Sequence, residues 1–199
     1  MTITINNQKF DLTDEQVVKL KKALDLPNKT AADIENGETF NVGGIEFIKF
    51  CEKDGKVYAV TREALFDSKF GETNNVKESD ILKTLESEIL PKLVAAVGEE
   101  NILEFETDLT TLDGLKDYGT MKSKIGLPTF DFYREYTEIF EEYKLDDWFF
   151  LSTAWSTPKR GYKYGIVCVS PSCIIDCDNC GINCGVRPFC IFNSSIFVS

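Results

Sequence analysis

The amino-acid sequence predicts an α+β fold in which mixed antiparallel strands combine with two or three helices. Three observations lead to this class: stretches of helical periodicity that begin at capping residues, a turn signal between two strand-like runs, and the lack of a repeating β-α-β order. With 199 residues, 43% of them apolar, the chain can form one medium-sized domain with its own core.

The first predicted element is a short N-terminal helix. Thr13 and Gln16 form a capping box, and apolar residues follow at helical spacing until Pro27. We expect residues 1–36 to be a helical extension, which is a candidate for mediating oligomerisation or attachment. Residues 37–199 would then form the main domain.

The main domain opens with a predicted hairpin. Residues 44–50 and 56–60 are strand-like, and Asp54-Gly55 between them is a typical turn dipeptide. Ser79 can cap a second helix, which Pro91 would kink or end. The apolar face of that helix would consist of Ile81, Leu82, Leu85, Ile89 and Leu93.

A third helix is predicted after Thr129, and strands follow it. Its aromatic stripe is typical of core packing rather than of a cofactor site, and comprises Phe132, Tyr136, Phe140 and Tyr143. Residues 148–151, 164–169 and 186–192 are strand-like. Pro188 predicts that the last of these lies at a sheet edge or bulge, because proline cannot donate to a ladder.

Charge is distributed unevenly along the chain. The sequence contains 22 basic and 33 acidic residues, a net charge of −11, which argues against nucleic-acid binding. Residues 161–199 contain two basic and two acidic residues, so the whole excess lies in residues 1–160. No uncharged stretch reaches the ~20 residues of a membrane span, so we expect no membrane insertion.

Several motifs in residues 37–199 carry a family resemblance. They are Gly43-Gly44, the stretch 74–85 that opens a helix, Leu127-Pro-Thr-Phe130, the strand 148–153 and Gly185-Val-Arg-Pro188. Their order resembles a bacterial and phage family of unknown function with a Trp-Trp-Leu-Arg-Ser-like strand and a closing Gly-Val-Arg-Pro. At Ser152 this chain departs from the arginine that members often have. The family is similar to the formylglycine-generating-enzyme type of C-type-lectin-like fold, so the resemblance implies that fold.

The closing motif is also similar to that of the variable proteins of diversity-generating retroelements. In those phage and bacterial receptors, positions before the closing Gly-x-Arg face a ligand and are rewritten at adenines. Residues 171–184 contain no Lys, Glu, Gln, Met or Trp, the five residues that codons derived from Asn exclude. The resemblance implies a phage or prophage receptor-type protein that binds a protein or cell-surface ligand through residues 154–184.

The candidate contact residues combine that segment with aromatic side chains near a polar loop. Variable binding residues belong on loops held by a rigid scaffold, and aromatic residues dominate interface energies. The candidates are Trp155, Tyr162, Tyr164, Cys173, Ile175, Cys177, Asn179, Cys180, Ile182 and Asn183. Arg187 is expected to be structural and to pair with an acidic residue elsewhere in the fold.

The cysteines leave an alternative open. Cys173, Cys177, Cys180 and Cys184 follow one another closely, and thiolates are ligands for zinc and iron–sulfur clusters. Only one Cys-x2-Cys spacing is present, whereas zinc ribbons usually have two, so we expect no metal and no cofactor. If several of these thiols are exposed, the protein should oxidise and oligomerise readily. A homo-oligomer is also compatible with the N-terminal extension of residues 1–36.

Catalysis is not expected. The chain has no histidine, which excludes Ser-His-Asp and Cys-His catalysis, and no glycine-rich phosphate loop. A second alternative is an acidic intracellular phage effector that inhibits a host defence complex. The N-terminus lacks the features of a secretory signal, which predicts synthesis in the cytoplasm; association with a virion or cell surface is compatible with the resemblance.

Overall fold

The computed structural model describes residues 2–5, 8–23 and 29–199, and these form an α+β fold built mostly from antiparallel sheets. This confirms the predicted α+β class. The first strands are β1 (Thr2–Ile5), β2 (Gln8–Asp11), β3 (Lys29–Thr30), β4 (Thr39–Val42), β5 (Ile45–Lys53), β6 (Lys56–Thr61), β7 (Phe66–Lys69), β8 (Ile102–Leu103) and β9 (Phe105–Asp108). They are followed by β10 (Thr120–Ser123), β11 (Ile125–Gly126), β12 (Phe149–Ala154), β13 (Gly165–Val169), β14 (Ile175–Asn179), β15 (Asn183–Val186), β16 (Phe189–Asn193) and β17 (Phe197–Val198). The α-helices are α1 (Asp14–Ala23), α2 (Asp80–Thr84), α3 (Leu90–Val97), α4 (Phe130–Glu135) and α5 (Thr137–Glu142).

Two larger sheets make up the main domain. One has the order β11-β16-β6-β5-β4, with β8 also paired to β16, and the other has the order β14-β13-β12-β15-β7. Each sheet contributes side chains to two hydrophobic clusters, one containing α2 and α3 and the other containing α4 and α5. Both faces of each sheet are therefore covered over much of their area.

The hairpin of β5 and β6 confirms the turn signal. Asp54 and Gly55 have φ values of 52° and 72°, so both central positions of the turn are left-handed. Glycine adopts this conformation without steric cost and aspartate tolerates it, and such turns match the twist of paired strands.

The second predicted helix begins where expected but does not stop at Pro91. Ser79 Oγ accepts a hydrogen bond from the Leu82 amide at 3.1 Å. A π-helical turn over Leu85–Ile89 then joins α2 to α3, and Pro91 lies in the first turn of α3, where its missing N–H is least costly. The predicted apolar face is buried, and comprises Ile81, Leu82, Leu85, Ile89 and Leu93.

The third predicted helix is divided into α4 and α5. Thr129 Oγ1 accepts a hydrogen bond from the Phe132 amide at 3.0 Å, which confirms the predicted cap. Tyr136 has φ −121° and ψ 31°, so the helix breaks there. The aromatic stripe packs in the core, as predicted, with the rings of Phe50 and Phe140 4.7 Å apart.

The prediction that Pro188 places the last strand at a sheet edge or bulge is wrong. Arg187 and Pro188 lie between β15 and β16, where the chain crosses from one larger sheet to the other. Proline is tolerated because it precedes β16 and needs no ladder donor there, while its carbonyl accepts from the Thr61 amide at 3.0 Å. β16 itself lies inside its sheet, between β11 and β6.

The structural role of Arg187 is confirmed, but its predicted acidic partner is wrong. Its side chain is 0% exposed, and no carboxylate of the described residues forms an ion pair with it. Instead Nε donates to the Thr61 carbonyl at 3.0 Å and Nη1 to the Tyr143 carbonyl at 3.3 Å. Burial lowers the pKa of Arg187 to about 10, so the guanidinium stays charged at neutral pH.

Helix α1 lies where the N-terminal helix was predicted. Thr13 and Gln16 form the reciprocal capping-box hydrogen bonds, at 2.9 and 3.3 Å. Pro27, the predicted end of the helix, lies outside the described residues.

Further along, β3 pairs with β17, so residues 29–30 contact the C-terminal end of the described chain. The domain boundary at residue 36 stays a prediction. In the part of the chain described, no helix combines the length and apolar character that crossing a bilayer requires.

Candidate functional site

Large apolar side chains reach the surface mainly in the segment that the sequence singled out. In the described residues these are Tyr162, Tyr164, Ile174, Ile182 and Phe197, with exposed fractions of 56%, 46%, 63%, 37% and 37%. All but Phe197 lie between residues 162 and 182. Isolated exposed apolar residues are ordinary, whereas several in one segment mark a contact surface.

The structure places three of these residues at one end of the β13–β14 hairpin. The Cys180 amide donates to the Tyr164 carbonyl at 2.8 Å, and the Ile182 amide donates to the Asn179 carbonyl at 3.0 Å. We call Tyr162, Tyr164 and Ile182 the tyrosine surface. Lys163 Nζ lies 4.6 Å from the centre of the Tyr164 ring, and the interaction with the Tyr164 side chain raises the pKa of Lys163. The surface therefore offers aromatic and apolar groups beside a cation, and the exposed Asn179 and Asn183 flank it.

Asn74 holds the loop of residues 156–164, which carries Tyr162 and Tyr164. Its buried side chain donates from Nδ2 to the carbonyls of Ser156, Tyr162 and Gly165 at 2.9, 3.0 and 2.7 Å. Its Oδ1 accepts from the Tyr118 hydroxyl at 2.6 Å. One amide thus ties both ends of the loop to the body of the protein.

Two aspartates hold the middle of the same loop. Asp113 accepts from Ser156 Oγ and from Arg160 Nη1, both at 2.7 Å. Asp117 accepts from Thr157 Oγ1 at 2.9 Å and pairs with Lys159. The hydrogen bond from Thr111 is the main cause that lowers the pKa of Asp113. The hydrogen bond from Lys159 does the same to the pKa of Asp117.

Cys173, Ile174 and Ile175 lie at the opposite end of the hairpin. Cys173 occupies a turn with φ 61°, and its carbonyl accepts from the Tyr133 hydroxyl at 2.8 Å. Since five-residue strands separate the two ends, the exposed Ile174 lies roughly 15 Å from the tyrosine surface. The predicted contact residues are therefore divided between two ends of one hairpin.

The face between the ends is mostly covered. Ile175, Cys177 and Asn179 of β14 lie opposite Val169, Val167 and Gly165, and directly opposite residues share a sheet face. Trp155 and Ile175 pack against the cluster that contains α4 and α5. Trp155 is thus half-buried and contributes part of its ring to the core.

Two backbone amides of the edge strand β14 are hydrogen-bonded to side chains of β14 itself. Asp176 Oδ1 accepts from the Cys177 amide, and Asp178 Oδ1 accepts from the Asn179 amide, both at 2.7 Å. β14 is the last strand of its sheet in the described residues, and charged side chains on such strands oppose pairing with another chain. Recognition at this edge by strand addition is therefore disfavoured.

The four clustered cysteines do not converge on one point. Cys180 and Cys184 are buried in the cluster with α2 and α3, whereas Cys177 lies on the opposite sheet face and Cys173 in the distant turn. Within the residues that the structure describes, no group of three potential ligands could hold a metal. Burial raises the pKa of Cys177 to about 11, so its thiol stays protonated at neutral pH and is a weak nucleophile.

Sequence reasoning missed several residues of this site. Ile174 is the most exposed large apolar side chain of the described chain, but nothing distinguished it from its neighbour Ile175. Asn74, Asp113 and Asp117 are far from the loop in sequence, and polar residues in turns are too common to indicate such contacts.

Comparisons with models of known protein families, with curated proteins and with solved structures gave no significant match.

Proposed function

We propose that this protein is a non-catalytic binding protein with a C-type-lectin-like fold, and that the tyrosine surface contacts a protein or cell-surface ligand. The observation that carries the proposal is the pairing of exposed Tyr162, Tyr164 and Ile182 with a loop held by Asn74, Asp113 and Asp117. A rigid scaffold under exposed aromatic side chains limits the entropy lost on binding.

In this region the residues that hold the loop are different from those that form the exposed surface, and this separation supports a variable binding surface. Asn74, which bonds both ends of the loop, is buried, whereas Tyr162, Tyr164 and Ile182 are exposed. Substitution at the surface should leave the scaffold intact, which is the requirement for a diversified receptor. The similarity of the closing Gly185-Val-Arg187 motif to that of retroelement variable proteins supports the same function.

Sequencing the encoding locus in sibling isolates tests this proposal. We expect substitutions to concentrate at Tyr162, Tyr164 and Ile182 while Asn74 and Arg187 stay constant. We also expect a nearby reverse transcriptase gene and a near-copy of the codons for residues 154–190 that differs mainly at adenines. Invariant cysteines together with an invariant tyrosine surface and no such copy would overturn diversification.

A further inference from the structure

A cavity lies away from the tyrosine surface, on the face of the β6–β16 pair that also packs against α4. Its volume is about 480 Å³, within the range of small-molecule pockets. Strand β9 borders it on one side and the N-terminal part of α4 on the other. None of the residues of the tyrosine surface lines it.

Aromatic rings form much of the wall of this cavity. The rings of Phe105 and Phe132 both meet the Phe189 ring, at centroid distances of 4.9 and 5.0 Å and steep angles. Tyr58 adds a fourth ring, 6.3 Å from Phe189. Phe105, Phe132 and Tyr58 are only half-buried, so ring surface faces the cavity.

The charged residues around the cavity are mainly acidic. Glu104, Glu106, Asp108 and Asp131 line it together with Lys56, and Asp131 pairs with Arg134 outside the lining. No ion pair among the described residues uses Glu104 or Glu106. Their carboxylates are thus available to a ligand of opposite charge.

A cation already lies beside one ring of this group, that of Tyr58. Lys53 Nζ lies 5.9 Å from the Tyr58 ring centre and 6.0 Å from that of Tyr136. The faces of aromatic rings attract ammonium groups electrostatically, and acidic neighbours add to the attraction. The cavity offers the same combination to a molecule from solution.

We propose that this cavity binds a small organic cation, an ammonium group carried on a short apolar body. The ammonium would lie near Glu104 and Glu106, and the apolar body would contact Phe105, Phe132 and Phe189. The volume fits one such molecule, and the acidic rim disfavours an anion of the same shape.

Three probes of matched size test the charge requirement: 2-phenylethylammonium, 2-phenylethanol and 3-phenylpropionate. Each is titrated into the isotopically labelled full chain, and amide shifts are followed by NMR. We expect the ammonium probe to shift amides of β9 and α4 and to bind about tenfold more tightly than the alcohol. The carboxylate should bind more weakly still.

Variants connect that binding to the cavity. The double change Glu104→Gln and Glu106→Gln should weaken the ammonium probe severalfold and leave the alcohol unchanged. The double change Glu86→Gln and Glu88→Gln, which removes the same charge elsewhere, should have no effect.

Phe105→Leu should weaken binding of the ammonium probe, with thermal unfolding confirming that the variant is folded. Equal binding of ammonium and alcohol, or shifts confined to amides away from the segments that line the cavity, would overturn the proposal, as would no binding in the millimolar range.

Discussion

The guanidinium carbon of Arg187 lies 5.1 Å from the centre of the Phe149 ring, inside the core of the protein. The Phe140 ring lies 5.5 Å from the same atom. With two backbone carbonyls as hydrogen-bond acceptors, these rings replace the carboxylate that a buried arginine usually has. The closing Gly-Val-Arg-Pro motif is therefore a packing element at the crossing between the two larger sheets.

Arg187→Lys should lower the free energy of unfolding by roughly 2 to 4 kcal/mol. The lysine ammonium lacks the planar set of donors with which the guanidinium reaches the carbonyls of both Thr61 and Tyr143. Urea unfolding measures this. Arg62→Lys is the control, since Arg62 forms a surface ion pair with Glu46 and the change there should be within about 0.5 kcal/mol. Similar losses in both variants would contradict the role assigned to Arg187.

Asn74→Asp should release the loop of residues 156–164, because a carboxylate cannot donate to the three carbonyls that Asn74 holds. Hydrogen exchange followed by mass spectrometry should show lost protection in residues 156–165. Asn75→Asp keeps the cap acceptor for Lys77 and should leave protection unchanged. If the loop stays protected in Asn74→Asp, Asn74 does not hold it.

Gly165→Ala should destabilise the β13–β14 hairpin by about 1–3 kcal/mol. A Cβ there would lie 2.9 Å from Cys177 Sγ and 3.1 Å from Trp155 Cβ. Adding Cys177→Ala should recover part of the loss, which a double-mutant cycle in urea measures. Gly126→Ala is the control, because its nearest contact would be an ordinary 3.5 Å; additive effects of the Gly165 and Cys177 changes would contradict the predicted contact.

Asp113 and Asp117 should make the loop sensitive to acid. Their pKa values lie below the usual 3.8, so their contribution to stability is present above that pH and is lost as pH falls through the lowered values. Exchange protection of residues 156–160 should therefore fall below pH 3.8. In Asp113→Asn with Asp117→Asn, protection should already be weaker at neutral pH and should depend less on acid; an unchanged acid profile would contradict the assignment.

Thiol labelling should separate the cysteines by burial. Cys173 and Cys177 are partly exposed, and the other five are buried. Burial raises the pKa of both partly exposed thiols, so iodoacetamide should label them slowly in the native protein and the remaining cysteines only after unfolding. Mass spectrometry of the labelled peptides measures the order, and early labelling of Cys180 would contradict its burial beneath the tyrosine surface.

Local signals predicted much of the fold. The Asp54-Gly55 turn and the caps at Thr13, Ser79 and Thr129 depend on a few neighbouring residues, and each is confirmed. Strand β14 was not predicted, because its Cys, Asp and Asn residues have low strand propensity and pairing with β13 decides its structure.

Long-range contacts limited prediction of the site. The exposure of Tyr162 and Tyr164 follows the sequence expectation, but the burial of Cys180 depends on how the chain turns after β14. The role of Asn74 depends on carbonyls more than 80 residues away in sequence, a relationship that no local pattern encodes.

A library randomised at Tyr162, Tyr164, Ile182 and the flanking Asn183 tests the central claim most directly. The fraction of members that resist protease is compared with that of a second library randomised at Asn74, Asp113, Gly165 and Arg187. If the tyrosine surface is a contact surface on a separate scaffold, most members of the first library should remain folded and most of the second should be cleaved. Loss of protease resistance in most members of the first library would show that these side chains stabilise the fold, and would contradict the account.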